Sequence, residues 1–108
     1  MISEDRLQQE CFTWHWNNYP EERGLLFMVY NGAVNRIQGA QLKSKGMVKG
    51  VSDMIYLRPG GKPLFIELKT ETGTQSPAQK AWESTVTLAG YQYTIVRSIE
   101  QFKSMIDV

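Results

Sequence analysis

Cysteine and histidine are nearly missing from this chain of 108 residues: Cys11 is the sole cysteine and His15 the sole histidine. One cysteine excludes an intramolecular disulfide and any multi-cysteine zinc site, and it fits a reducing cytoplasm. One histidine excludes His-rich metal sites, and it excludes a Ser-His-Asp triad built without His15. Long apolar runs are lacking too. Although 42% of the residues are hydrophobic, no run approaches the roughly 20 residues of a membrane span. The opening Met1-Ile2-Ser3-Glu4-Asp5 has no positive region followed by an apolar stretch, so no signal peptide is expected and the protein reads as cytoplasmic, not secreted. No repeat, linker or low-complexity segment appears, which predicts one domain over residues 1–108.

Acid is absent from one long stretch. The net charge is +1, yet from Gly24 to Ser52 there is no Asp or Glu, while Arg36, Lys43, Lys45 and Lys49 all fall there. A local basic excess suits a polyanion. A solvated basic loop accounts for the same charges.

The rest of the chain alternates helical and strand patterns. Ser3 is placed to cap a first helix, with Leu7, Cys11 and Trp14 at helical spacing and Pro20 ending it. Leu25 to Tyr30 is a continuous apolar run, short enough for a buried strand, and Asn31-Gly32 is turn chemistry. Asn35 to Lys45 is polar and reads as a weak helix or an ordered loop. Strands are predicted at about Val51 to Leu57 and Leu64 to Glu71, with Arg58-Pro59-Gly60-Gly61-Lys62-Pro63 as the turn between them. Ser76-Pro77-Ala78-Gln79 is a helix start with Ser at the N-cap and Gln three residues on. Ala78, Trp82, Val86 and Ala89 mark that helix's buried face, and Gly90 its end. Tyr91 to Val96 is a fourth strand, and Ser98 caps a last helix carrying Ile99, Phe102 and Ile106. The expected fold is α/β, in the order α-β-β-β-α-β-α, with a central mixed sheet flanked by helices.

Charges sit inside the middle strands, where they are costly without a task. Asp53 opens the second strand; Glu67 and Lys69 lie in the third. Side chains alternate along a strand, so Phe65, Glu67 and Lys69 share one face, with Glu67 and Lys69 roughly 7 Å apart. Pairing Ile55 with Phe65 in the hairpin sets Asp53 opposite Glu67, with Cβ atoms about 5 Å apart; a one-residue slip would separate them. Two carboxylates that close repel unless a cation intervenes. Asp53, Glu67 and the Leu68 backbone carbonyl then suit a hard divalent ion such as Mg²⁺ or Mn²⁺, and Lys69 is placed to position a water or to stabilise charge on a phosphate. A surface salt bridge of Lys69 with either acid is the plain alternative. Glu10, near the apolar stripe of the first helix, faces inward or borders the core.

Glu10 on a helix, Gly50-Val51-Ser52-Asp53, Glu67-Leu68-Lys69 and Ser76-Pro77-Ala78-Gln79, in that order, resemble the virus-type replication-repair nuclease (VRR-NUC) domain of the PD-(D/E)xK nuclease superfamily. Asn31-Gly32 and Lys49-Gly50 also look like the family pattern. Ser52 stands where the superfamily name has proline, and this leaves the metal ligand untouched. The resemblance spans Glu10 to the final helix. It implies a restriction-endonuclease-like core in which Asp53 and Glu67 bind Mg²⁺ or Mn²⁺, Lys69 is the catalytic lysine and Glu10 an auxiliary helix acid. Gln79 matches a glutamine near the active site, and it also fits the capping box.

The resemblance also gives Arg36, Lys43, Lys45, Lys49 and Asn31 a task as contacts to nucleic acid. It implies a metal-dependent DNA endonuclease acting as a homodimer on branched DNA such as Holliday junctions, in the cytoplasm of a bacterium or a phage-infected host cell, with no membrane partner. Two other readings stand beside it: a less selective flap or single-strand nuclease, and a catalytically silent nucleic-acid-binding module. His15 is expected at the surface or the core boundary, with a phosphate contact as the alternative. Trp14 and Trp82 are expected in the core, and Trp16 is the tryptophan least constrained by spacing.

Overall fold

Side-chain caps start the four α-helices found among the described residues. The computed structural model describes residues 1–30 and 35–107. Ser3 accepts the Arg6 N–H at 3.1 Å and opens α1, Glu4–Asn18. Asn35 accepts the Gln38 N–H at 2.8 Å and opens α2, Arg36–Ser44. Ser76 and Gln79 form a reciprocal capping box at α3, Pro77–Leu88. Ser98 accepts the Gln101 N–H at 3.1 Å and opens α4, Ile99–Ile106. Each cap satisfies an N–H that has no partner within its helix, a contribution of about 1 kcal/mol.

Four strands, β1 (Leu26–Met28), β2 (Met54–Leu57), β3 (Pro63–Leu68) and β4 (Gln92–Val96), form one sheet in the order β1-β2-β3-β4. The first two pairings are antiparallel, and β3 runs parallel to β4. A parallel pair needs a crossover, which α3 supplies. The mixed sheet flanked by helices and the order α-β-β-β-α-β-α are as expected. The segment left open between β1 and β2 is a helix, α2, and it buries none of its side chains.

Strand alternation divides the molecule into two layers around the sheet. Leu64, Ile66 and Leu68 of β3 join Leu26, Met54, Tyr56 and Val96 in a core closed by Leu7 and Cys11 of α1 and Phe102 of α4. Phe65 points to the opposite face, where it meets Trp82 of α3 edge-on with centroids 5.1 Å apart. Ile55 pairs with Phe65, the register the hairpin needed.

Two expectations need correction. The run Leu25 to Tyr30 is not a buried strand: β1 spans three residues at the sheet edge, and Phe27 and Met28 are exposed because β2 is its one strand neighbour. His15 is neither at the surface nor at the boundary but 2% exposed. Its Nε2 lies 3.0 Å from Glu22 Oε1, which also accepts the Tyr56 hydroxyl at 2.5 Å, and its ring stacks on Tyr19. Pro20 turns the chain after α1 and so delivers Glu22 to this pocket. Trp14 packs edge-on against Phe102 and Trp82 against Phe65, while Trp16 is exposed. No helix among the described residues is long and apolar enough to cross a membrane.

Candidate active site

The charged residues of the two central strands gather at one end of the sheet. The backbone carries the ladder past β2 and β3: Val29 N–H donates to the Asp53 carbonyl at 2.8 Å, and Lys69 N–H donates to the Val96 carbonyl at 3.0 Å. Asp53 is therefore held beside the end of β3, and its Oδ2 accepts the Leu68 N–H at 2.7 Å. That bond explains why β2 starts only at Met54: the Asp53 carboxylate itself takes a donor of β3.

Burial pushes the Asp53 carboxyl above the ordinary aspartate range. The Leu68 N–H opposes the rise, the charges of Glu67 and Glu4 add to it, and Lys69 offsets part of it. The carboxylates thus lie near enough to repel, and a neighbouring cation relieves both causes of strain.

Glu67 is 1% exposed and Lys69 is 7% exposed. Their separation, Nζ to Oε2, is 4.0 Å, a contact of charges longer than a hydrogen bond. The surface salt bridge is thereby excluded: both groups are buried. Glu67 Oε1 accepts the Tyr93 hydroxyl and, at 3.3 Å, the Gln75 side-chain amide. Glu67 Oε2 is buried and has no hydrogen-bond partner among the described residues. A buried polar oxygen without a donor is costly. It fits a cation in the group's working state, and the carboxylates of Asp53 and Glu67 offer oxygen ligands, the kind a hard divalent ion prefers.

Glu10 is not brought to this cluster. It ion-pairs with Arg6 at 3.2 Å and lines an open groove of about 450 Å³ with Gln9, Trp14, Ile99 and Lys103. The acid of α1 whose charge reaches Asp53 is Glu4. Among the described residues no three Asp, Glu, His or Cys side chains converge as a metal cage, so protein carboxylates alone do not complete a coordination shell. The signal for Glu4 was present in the spacing. Glu4, Leu7, Cys11 and His15 form one stripe of α1, whereas Glu10 lies about a quarter-turn away.

Gln79 is committed to the capping box, its Oε1 accepting the Ser76 N–H at 2.8 Å. The glutamine at Glu67 is Gln75, whose Nε2 also donates to Glu83 Oε1 at 2.9 Å. Tyr93 and Gln75 were missed by sequence reasoning. Tyr93 lies opposite Phe65 in the parallel register and so shares the face of Glu67, a relation that required the β3–β4 pairing. The loop after Lys69 is pinned by Arg97, whose guanidinium donates to the Thr70 and Gly73 carbonyls, each at 2.8 Å.

The basic residues lie on the segment that precedes Asp53 in the chain. Arg36, Lys43, Lys45 and Lys49 are all exposed. Gly50 then brings this segment against the first turn of α3: a Cβ there would stand 2.2 Å from the Ala78 carbonyl oxygen. Asn31 lies outside the described residues.

A mixed four-stranded sheet with Asp53 at the end of one strand and Glu67 and Lys69 at the end of the next is a nuclease-type fold, of a class that generally works with divalent metals. The family model of the VRR-NUC domain matches residues 2–100, and the chain belongs to that family. Two solved structures are similar to it. One, described as a VRR_NUC domain protein, has a TM-score of 0.79 at 23% identity over 99% of this chain and 87% of its own. The other, described as a VRR_NUC domain, has a TM-score of 0.64 at 20% identity over 99% of this chain and 97% of its own. Both likenesses bear on the fold. No curated protein matches the chain.

Proposed function

We propose that residues 1–108 act as one nuclease domain, a metal-dependent, structure-specific DNA endonuclease that hydrolyses phosphodiester bonds as a homodimer on branched DNA such as a Holliday junction. The observation that carries the reading is the buried, unpartnered Oε2 of Glu67 facing the Lys69 ammonium. A binding-only module has no use for buried acids turned toward a polyanion, because they repel it.

Asp53, Glu67 and the Leu68 carbonyl are the groups that would hold Mg²⁺ or Mn²⁺. Bound there, the cation supplies a more acidic water and screening of phosphate charge. The chain's own groups do the rest. Lys69, buried and without an acid in hydrogen-bond range, directs its ammonium at the attacking water and then at the negative charge growing on the phosphoryl oxygens. Water adds to phosphorus, the bond to one sugar oxygen breaks, and the product ends carry phosphate and hydroxyl. Glu4 takes the place of Glu10 as the helix acid whose charge reaches Asp53. Arg36, Lys43, Lys45 and Lys49, exposed on the segment that precedes Asp53, hold the phosphate backbone.

Size supports the homodimer. A 108-residue domain has little surface for a four-way junction, while a two-fold pair sets two sites against two strands.

The test is cleavage of a four-way junction, a flap and a linear duplex with Mg²⁺ or Mn²⁺, comparing wild type with Lys69→Ala and Asp53→Ala. Junction cleavage by wild type and a loss of about 10³-fold or more in each variant are expected. Equal cleavage of all substrates would replace junction specificity with a less selective nuclease. Inactivity of wild type with both metals, or full activity of both variants, would end the nuclease reading. Sedimentation showing only monomer under cleaving conditions would remove the dimer.

A further inference from the structure

We propose that Tyr93 and Gln75 are positioning residues: together they clamp one oxygen of Glu67 and leave the other turned toward a divalent cation. The inference rests on the reading of Glu67 as a cation ligand and names the device that prepares it.

The two oxygens of Glu67 are treated unequally. Oε1 accepts two donors from separate elements, the Tyr93 hydroxyl of β4 and the Gln75 amide of the β3–α3 loop. Oε2, equally buried, accepts none among the described residues, and Lys69 Nζ stands 4.0 Å from it. Two donors fill the acceptor sites of one oxygen, and those of the other stay open. Two donors on one oxygen fix the plane of the group and the direction of the other oxygen.

Each donor is itself held. The Gln75 amide also donates to Glu83 Oε1 of α3 at 2.9 Å, which sets the orientation of its side chain. The Tyr93 ring packs against Trp82 with centroids 5.9 Å apart. In the β3–β4 register Phe65 pairs with Tyr93 and Glu67 with Ile95. Tyr93 is therefore the diagonal neighbour of Glu67 on the α3 face, a span that an aromatic side chain can cross. The hydroxyl is the part that matters, because a phenylalanine ring would keep the packing on Trp82 and lose the donor. Outer hydrogen bonds of this kind orient metal ligands, and removing one commonly weakens metal binding by about 10–100-fold.

The experiment is titration calorimetry of the full chain with Mn²⁺ alone, with no DNA present, for wild type, Tyr93→Phe, Gln75→Ala, Glu67→Gln and the double variant Tyr93→Phe/Glu67→Gln. Circular dichroism and a thermal melt check folding. Tyr93→Phe should stay folded and bind Mn²⁺ at least about tenfold more weakly. In the Glu67→Gln background the Tyr93 substitution should add nothing, which a merely structural role would not produce. If Glu67→Gln loses binding while folded Tyr93→Phe stays within about twofold of wild type, the clamp is overturned and the cation reading stands. If wild type binds no Mn²⁺, the cation reading fails and the clamp with it. Should Tyr93→Phe not fold, Gln75→Ala, on a loop, decides by the same thresholds.

Discussion

Replacing Gly50 with alanine should loosen the segment that delivers both the basic residues and Asp53. Gly50 has φ +82°, in the left-handed region. An alanine held there costs about 1–2 kcal/mol from the backbone alone. The new Cβ would also stand 2.2 Å from the Ala78 carbonyl oxygen, 2.4 Å from its carbon and 2.8 Å from the Gln79 nitrogen. These are backbone atoms in the first turn of α3, so no side chain can rotate away. Relieving such overlap adds about 1–3 kcal/mol. The total, about 2–5 kcal/mol, is a large part of the roughly 5–15 kcal/mol that holds a domain together. Gly24 provides the control: it has φ +96° and nothing within 4 Å of an added Cβ, so Gly24→Ala carries the backbone cost alone. In urea, with a slope of about 2 kcal/mol per molar, Gly50→Ala should lower the midpoint by about 1–2.5 M and Gly24→Ala by less than about 1 M. Equal shifts in the two variants would refute the close packing of this loop on α3.

The raised pKa of Asp53 has a stability consequence in the absence of metal. Its folded pKa lies above the ordinary aspartate value of 3.8 because burial outweighs the Leu68 N–H, so its contribution is full below 3.8 and is lost as pH rises through the raised value. Asp53→Asn, which keeps an acceptor for Leu68, should remove that loss; melts of both proteins at a series of rising pH values check it, and an identical decline in wild type and variant would contradict it. Glu22→Leu should destabilise by about 1–3 kcal/mol, since it strips both the Tyr56 hydroxyl and the buried His15 of their acceptor. Urea unfolding reads this directly, and a change below about 0.5 kcal/mol would show that His15 does not depend on Glu22.

Local chemistry made much of the fold legible. Ser3, Ser76 and Ser98 cap helices where their spacing placed them, because a cap depends on atoms three residues away. The β2–β3 register is local as well: the six residues Arg58–Pro63 were read as the turn, and Ile55 pairs with Phe65. That register set Phe65 and Glu67 on one face and Leu64, Ile66 and Leu68 on the other. The cluster of Asp53, Glu67 and Lys69 was therefore readable before any tertiary contact was known.

Choices among near-equivalent residues were not. Glu4 and Glu10 both sit on α1; spacing sets Glu4 on the stripe of Leu7 and Cys11, but that this stripe brings its charge to Asp53 and leaves Glu10 with Arg6 is decided by how the helix packs over the sheet. Gln75 and Gln79 are four residues apart; the capping box claims one, and the path of the β3–α3 loop gives the other to Glu67. His15 falls on the stripe of Leu7 and Cys11, but the polar partner that lets it be buried, Glu22, is set in place by the fold of Pro20–Glu22 and by Tyr56 of β2. The sequence by itself determined the elements, their faces and the charged residues of the central hairpin, since these depend on periodicity and neighbours along the chain. The tertiary structure alone decided which oxygen of Glu67 is satisfied and which is left open, because the donors come from a strand and a loop whose positions are set by packing of the whole sheet against α3.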